Sequence, residues 1–220
     1  MRRLAIALAV LILGGCATTT LIEGQWKAAD SELRPYGSVA VLTINDKPIK
    51  RQEFGTSLSQ MLTKRGIRAA AGASFLPRDI YDKDGDGRLD KDIDIEAVRK
   101  AVVDAGYEAV LTVTVLNTAK DRSYVRPRET RVDILEFDRF NRYWVKTTEI
   151  AYTPGYYQQT TRVQIETNLY DARDLKLDWT GHSVTMDPSD ATDLAMSYAR
   201  KITDVLINEG MLKPSNRSRK

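Results

Sequence analysis

The sequence is poor in the residues that most often build metal centres, disulfides and nucleophilic sites. It contains one cysteine and one histidine among 220 residues, so no intrachain disulfide can form and a transition-metal site is not expected. No glycine-rich phosphate-binding loop is present. The formal net charge is only +3, without the clustered basic excess that is typical of nucleic-acid-binding domains. These absences argue against a metalloenzyme and against a nucleic-acid partner.

The first sixteen residues resemble the signal of a bacterial lipoprotein. The chain begins with two basic residues, Arg2 and Arg3, followed by an apolar run at 4–13 that is too short to span a bilayer comfortably. Two small residues, Gly14 and Gly15, then precede Cys16. The resemblance implies that residues 1–15 are a signal peptide and that Cys16 carries a diacylglycerol and an acyl chain such as palmitate. Removal of the signal lowers the net charge to +1. The alternatives are an ordinary membrane anchor and a cleaved signal with a chance cysteine.

The residue after the cysteine indicates where such a lipoprotein would reside. Ala17 stands where lipoproteins retained in the inner membrane of enteric bacteria carry aspartate. The resemblance therefore implies the outer membrane, on its periplasmic face, with the acyl chains as a stable anchor.

Composition divides the rest of the chain into three parts. Residues 16–37 are small and polar without a sustained period, which predicts a lipidated tether. Residues 38–212 predict an α/β periplasmic domain, with an aromatic and basic insertion at 117–159. Residues 213–220 predict a disordered basic tail.

Hydrophobic periodicity predicts the elements of this domain. Strands are expected at 38–44, 67–71 and 107–116, helices at 49–65, 95–105 and 190–208, and a hairpin of two alternating strands at 163–169 and 175–180. In that hairpin, Leu169 would lie opposite Leu175 and Ile165 opposite Trp179. The fold class is therefore α/β (α+β): a single two-layer domain, with a mixed sheet, a C-terminal antiparallel hairpin and three amphipathic helices.

Several of these segments resemble a group of bacterial periplasmic lipoproteins. The segments are SVAVL at 38–42, RGI at 65–67, AGYEAVL at 105–111, IETNLYD at 165–171 and WTG at 179–181. The group is similar in fold to the N-terminal domain of the Tol-system propeller protein, the curli-secretion lipoprotein and the lipoproteins that activate penicillin-binding proteins. The resemblance implies an architecture and a cellular location, and its motifs are not catalytic signatures.

The segment DKDGDGRLD at 82–90 resembles the first nine positions of an EF-hand calcium loop. Predicted ligands are the carboxylates of Asp82, Asp84 and Asp86, the backbone carbonyl of Arg88, and Asp90 directly or through water. The loop departs from the pattern at its twelfth position, where Ile93 replaces the bidentate glutamate. The alternative is a solvated acidic turn in which Asp92 or Asp94 caps the following helix.

The insertion at 117–159 combines tyrosine, tryptophan and arginine, the residue types that dominate binding hot spots. Its candidate partner-binding residues are Tyr143, Trp144, Tyr156 and Tyr157. The alternative is an extra hairpin, pairing 131–137 with 143–150, whose aromatics pack on the sheet.

No residue set predicts an enzymatic mechanism. Alternation places His182 on a solvent-exposed strand face, and Ser183 beside it points to the other face. The sequence therefore favours a non-enzymatic adaptor that binds an envelope protein complex. The alternative is a self-assembling component of a secretion or transport apparatus, which would make the chain a homo-oligomer.

Overall fold

A computed structural model describes residues 18–29, 34–45, 47–86, 88–90, 92–138 and 143–215; for 132–138 and 143–149 only the backbone is described. The strands are β1 Thr19–Lys27, β2 Ser38–Ile44, β3 Arg68–Ala71, β4 Ala109–Val125, β5 Arg128–Asp138, β6 Tyr143–Thr153, β7 Tyr156–Asp171 and β8 Leu177–Met186. The helices are α1 Pro48–Lys64, α2 Ile95–Asp104 and α3 Ala191–Asn208, with short 3₁₀ turns at Gly72–Ser74 and Arg78–Ile80. None of the described helices has the length and apolar character needed to cross a membrane.

The strands form a six-stranded mixed sheet, in the order β1-β8-β7-β4-β2-β3, and a separate two-stranded sheet of β5 and β6. Strand β2 runs parallel to β3 and β4, whereas β8 runs antiparallel to β1 and β7. The predicted α+β class, with a mixed sheet, a C-terminal antiparallel hairpin and three helices, is confirmed.

Helices α1 and α3 cover one face of the sheet. Phe54 and Leu58 of α1 and Tyr198 of α3 are buried against Val41 and Ile165 of the strands. The Phe54 and Tyr198 rings lie 5.8 Å apart, and the Tyr198 hydroxyl hydrogen-bonds the Thr167 hydroxyl at 2.7 Å. The main core therefore lies between these two helices and the sheet.

Helix α2 lies on the opposite face, where Val102 packs against Ala40 and Val110. Successive strand residues point to opposite faces, so Ala40 and Val41 belong to different cores. The helices thus cover both faces of the sheet at β2 and β4, so the predicted two-layer arrangement is wrong there. Amphipathic periodicity shows that a helix has one buried face but not which face of the sheet it covers.

The chain divides into two compact units. The first comprises residues 1–118 and 162–220 and contains the six-stranded sheet and the helices; the second comprises residues 119–161. The second unit contains the β5–β6 hairpin, in which Phe137 lies opposite Trp144 and Arg128 opposite Thr153. Strands β4 and β7 have residues in both units.

The predicted tether at 16–37 is wrong over much of its length. Residues 19–27 form β1 and pair antiparallel with β8, from Thr19 opposite Met186 to Lys27 opposite Trp179. An edge strand with one covered face needs few apolar residues, so its sequence resembles a linker. The predicted disordered tail is also ordered at its start, because Lys213 and Ser215 donate backbone N–H groups to Tyr36 and Gly66.

The predicted register of the C-terminal hairpin is wrong. Leu169 lies opposite Trp179, and Ile165 lies opposite Ser183. The turn comes later than predicted, because Leu175 adopts a positive φ of 56° within it and does not lie in a strand. The shift of Leu169 is an even number of residues, so Leu169 and Trp179 share a face as predicted. Leu175 instead packs against the core on the other face.

Candidate functional site

The acidic loop brings three of its predicted calcium ligands together. Carboxylate oxygens of Asp82, Asp84 and Asp86 lie within 4.8 Å of one another. Asp82 is almost fully buried, and its Oδ2 lies 3.7 Å from Nε of Arg78. The other two are exposed. The loop therefore gathers negative charge at one point, which is the requirement for a hard cation with oxygen ligands.

The loop's backbone is shaped by its own carboxylates. Asp84 accepts the N–H of Asp86 at 3.1 Å, and Asp86 accepts that of Arg88 at 2.7 Å. Asp90 is not a member of the three-carboxylate cluster, and its Oδ2 accepts the N–H of Lys83 at 2.8 Å. Calcium binding, including the roles predicted for Arg88 and Asp90, stays a prediction.

The alternative role of the loop, as a helix cap, is present as well. The Asp94 carboxylate accepts the N–H of Ala97 at 3.0 Å at the start of α2. Of the two caps that the sequence allowed, Asp94 is the one used. This bond satisfies a backbone donor that a helix start otherwise leaves unpaired.

An apolar cavity of about 160 Å³ lies beside this loop, at the carboxyl end of β2. Its walls include Leu42, Ile44, Val98, Leu76 and, from the loop region, Tyr81, Leu89 and Ile93. The guanidinium of Arg51 lies 5.6 Å from the centre of the Tyr81 ring at this cavity. Apolar walls can hold an apolar group but supply no acid, base or nucleophile.

Exposed tyrosines mark the second unit. Tyr124, Tyr152, Tyr156 and Tyr157 are each more than half exposed, with Tyr157 at 62%. The rings of Tyr124 and Tyr157 lie 5.0 Å apart, and the guanidinium of Arg122 lies 4.3 Å from the centre of the Tyr157 ring. These contacts hold one end of the cluster in place while leaving its faces accessible to solvent.

Two of the four predicted partner-binding residues, Tyr156 and Tyr157, are among these exposed tyrosines, but as consecutive residues of β7 they point to opposite faces of the strand. Tyr143 and Trp144 lie on β6, opposite Asp138 and Phe137, and their side chains lie outside the described residues. Tyr124 and Tyr152 are aromatic residues of the predicted insertion but are not among its four candidates, and Arg122 was not predicted. Tyr124 lies two residues beyond Arg122 on the same strand, and this period of two was the available signal.

His182 lies on an exposed strand face, as its alternation predicts. Its Nε2 lies 3.0 Å from Oε2 of Glu166, which is directly opposite on β7. The Asn168 amide donates to the other Glu166 oxygen at 2.9 Å and, with His182, keeps the pKa of Glu166 below its ordinary value. Ser183 faces away and donates to the Ile165 carbonyl. The arrangement is a cross-strand pair, and the neighbouring serine is not presented to the imidazole.

A buried polar cluster escaped sequence reasoning entirely. The Tyr36 hydroxyl donates to the carboxylates of Asp178 and Asp171, and all three side chains are buried. Arg173 binds Asp171 through its guanidinium and holds the pKa of that carboxyl below its ordinary value of 3.8. Burial raises the pKa of Tyr36. No sequence spacing connects residues 36, 171 and 178, because the fold alone brings them together.

The predicted lipidation site, Cys16, lies outside the described residues. The described chain begins at Thr18, whose hydroxyl donates to Asp193 and whose carbonyl accepts the Ser197 hydroxyl at 3.1 Å. The position at which the anchor would join the domain is therefore fixed against α3.

No protein-family model matches the sequence, and no curated protein matches it significantly. Solved structures similar to the chain include a PelC dodecamer from Paraburkholderia phytofirmans, at 10% identity and a TM-score of 0.45 over 89% of this chain and 99% of that one. Another is the lipoprotein GNA1162 from Neisseria meningitidis, at 17% identity and a TM-score of 0.42 over 78% and 99% of the two chains. Likeness at this level carries no conclusion about the activity or assembly of the present chain.

Proposed function

We propose that the protein is an outer-membrane lipoprotein that faces the periplasm and acts as a non-enzymatic adaptor for an envelope protein complex. The location rests on the signal-like N-terminus, with Cys16 as the lipidated residue and Ala17 after it. The resemblance to periplasmic lipoproteins of the Tol, curli and penicillin-binding-protein systems supports the same class of role.

The observation that carries the adaptor role is the set of exposed tyrosines in the second unit, of which Tyr124 and Tyr157 are in contact. Monomeric proteins expose single apolar residues widely, but grouped aromatic side chains mark binding surfaces. Here Tyr157 is pre-positioned by Tyr124 and Arg122, so less conformational freedom is lost when a partner binds. The surface thus offers rigid aromatic anchors beside a cation, which suits a protein partner.

The non-enzymatic part of the proposal rests on the chemistry of the described surface. The cavity beside the acidic loop is apolar, and His182 is paired with Glu166 on an open sheet face. A catalytic pair needs a nucleophile or a substrate oxygen within reach of the base and a site that limits access of water. Neither place combines these features.

The test is crosslinking of the full-length lipoprotein in cells, followed by purification from outer membranes and mass analysis of the products. We expect a discrete heteromeric product that is lost when Tyr156 and Tyr157 are both replaced by alanine. Ile49→Ala is the matched control, because Ile49 is 74% exposed and lies in the first unit. A heteromeric product that survives the double tyrosine substitution would contradict the proposed surface.

One structural feature favours the self-assembling alternative. Strands β5 and β6 pair only with each other among the described strands, so each eleven-residue strand has an unpaired edge. Unpaired edges are templates for pairing with another chain. In the same experiment, a ladder of self-multiples without a second protein would support this alternative and overturn the adaptor.

A further inference from the structure

The folded domain begins closer to the predicted anchor than the sequence suggests. Strand β1 starts at Thr19, three residues after Cys16, and its pairing with β8 begins at once with Thr19 opposite Met186. The spacer expected between the lipid and the domain is therefore part of the sheet.

The start of β1 is also fixed by side chains. Thr18 hydrogen-bonds Asp193 and Ser197 of α3. The Thr20 hydroxyl bonds the hydroxyls of Thr185, at 2.8 Å, and Ser197, at 3.0 Å. Releasing β1 as a flexible tether would break these bonds together with the backbone ladder to β8.

Chain length then limits the distance between the anchor and the domain. Two residue steps from Cys16 to Thr18 span at most about 7 Å, whatever the conformation of Ala17. The polar layer on each side of a bilayer is itself about 5–8 Å thick, from a total thickness of about 40–45 Å around a hydrocarbon core of about 30 Å. A spacer of this length reaches no farther than the lipid headgroups.

We propose that the start of β1, at the edge of the six-stranded sheet, lies at the headgroups of the bilayer that holds the Cys16 acyl chains. This inference rests on the lipid anchor of the proposed function and adds an orientation to it. Met186 lies directly opposite Thr19 at this edge, and Arg162 lies opposite Met186 on β7, which continues past it into the second unit. The opposite end of β1, at Lys27, lies about 26 Å away, eight residue steps along the strand.

The orientation also restricts the partner. Arg162 lies opposite Met186, two strands from β1, and is the first residue after the second unit. Tyr157 is five residues earlier, so it lies within about 18 Å of Arg162 in any arrangement of the two units. The tyrosine surface therefore meets its partner near the membrane, which favours an integral membrane protein or a membrane-bound subunit over a freely diffusing one.

The orientation can be measured with single labelled positions in the lipidated full-length protein. The only natural cysteine is the predicted acylated one, so an introduced cysteine is the only free thiol in that protein. Thr192→Cys places a fluorophore on the exposed first turn of α3, beside Asp193, and Asp174→Cys places it in the exposed β7–β8 turn at the other end. The protein is reconstituted in phosphatidylethanolamine and phosphatidylglycerol vesicles that carry a nitroxide on a fraction of their headgroups.

We expect quenching of the label at position 192 and none of the label at position 174. A Gly/Ser linker of about 20 residues, with a mean span of about 25 Å, inserted between Ala17 and Thr18 should abolish the quenching. Equal quenching at both positions, or quenching that survives the linker, would overturn the orientation. Failure of the protein to float with the vesicles would instead overturn the lipid anchor of the proposed function.

Discussion

Gly181 leaves the space in the C-terminal hairpin that the buried Trp179 ring occupies. A Cβ at this position would overlap the ring of Trp179, which is fully buried on the same face of β8 two residues earlier. Glycine inside a strand often marks such a close approach. The largest buried side chain of the core therefore occupies space that any other residue at 181 would take.

Replacing Gly181 by alanine should destabilise the domain by about 1–3 kcal/mol, because the Trp179 ring must leave its position in a packed core. The measurement is the free energy of unfolding in urea. Gly24→Ala on the neighbouring strand is the control, since a Cβ there meets no atom within 4 Å, and its effect should stay within about 0.5 kcal/mol. Equal effects of the two substitutions would contradict this account.

The buried cluster of Tyr36, Asp171 and Asp178 makes stability sensitive to acid. The pKa of Asp171 is lowered in the folded protein, chiefly by its hydrogen bonds to Arg173. Below the ordinary pKa the unfolded chain takes up a proton first, so folding stability falls as the pH falls. The stabilisation of the folded state by ionised Asp171 is complete at pH values above the ordinary pKa of 3.8. It is lost as the pH falls through the lower pKa that Asp171 has in the folded protein.

Arg173→Gln should move the midpoint of acid unfolding to higher pH, because it returns the pKa of Asp171 toward its ordinary value. Circular dichroism during acid titration measures this midpoint. Lys100→Gln removes an ion pair to Asp104 that is exposed on both sides, and it should leave the midpoint unchanged. An unchanged midpoint in the Arg173 variant would show that Asp171 does not depend on this partner.

At the level of elements, we expect the acidic loop to bind calcium in preference to magnesium. Three converging carboxylates favour calcium over magnesium, since calcium accepts irregular oxygen geometry and magnesium demands a regular octahedron. We expect calorimetry to show weak calcium binding, in the range of extracellular sites at about 10⁻⁴–10⁻³ M. Asp84→Ala should abolish the signal and Asp79→Ala, just outside the motif, should preserve it. Identical titrations of the two variants would favour a solvated acidic turn.

The elements with a strong helical or apolar period could be predicted from sequence. Helix α3 was expected at 190–208 and occupies Ala191–Asn208, because its buried residues recur every three or four positions and Asp190 caps it. Strand β2 was equally clear, as a short run buried on both faces. Strand β1 was missed because an edge strand is stabilised by backbone pairing, which leaves little trace in side-chain pattern.

The candidate site could be predicted only where its residues are close in sequence. The acidic loop and Tyr156 with Tyr157 are local motifs, and the structure brings three of the loop's carboxylates together as the motif predicts. The Arg122–Tyr157 and Tyr36–Asp178 contacts join residues far apart in sequence. Neither follows from a single sequence, since both depend on strand order and register.

At the scale of the whole molecule, the first unit holds the described core and the second unit carries the proposed binding surface. Among the side chains that the structure describes, both buried core clusters consist of residues outside 119–161, from Val41 and Phe54 to Trp179 and Leu206. Strands β4 and β7, which enter and leave the second unit, are neighbours in the six-stranded sheet. The sheet could therefore be closed by a short turn between Thr118 and Arg162.

Replacing residues 119–161 by a turn that contains Asn-Gly should leave a domain that still unfolds in one cooperative transition, because every member of the core is retained. The same variant should lose the heteromeric crosslink.

A smaller deletion of residues 128–153 serves as the control, since it removes the hairpin but keeps Tyr124, Tyr156 and Tyr157. If the crosslink persists in the smaller deletion and disappears in the larger one, the tyrosines are the contact; if it disappears in both, the hairpin is required. A broad, non-cooperative transition in the larger deletion would show instead that the second unit is part of the folding core.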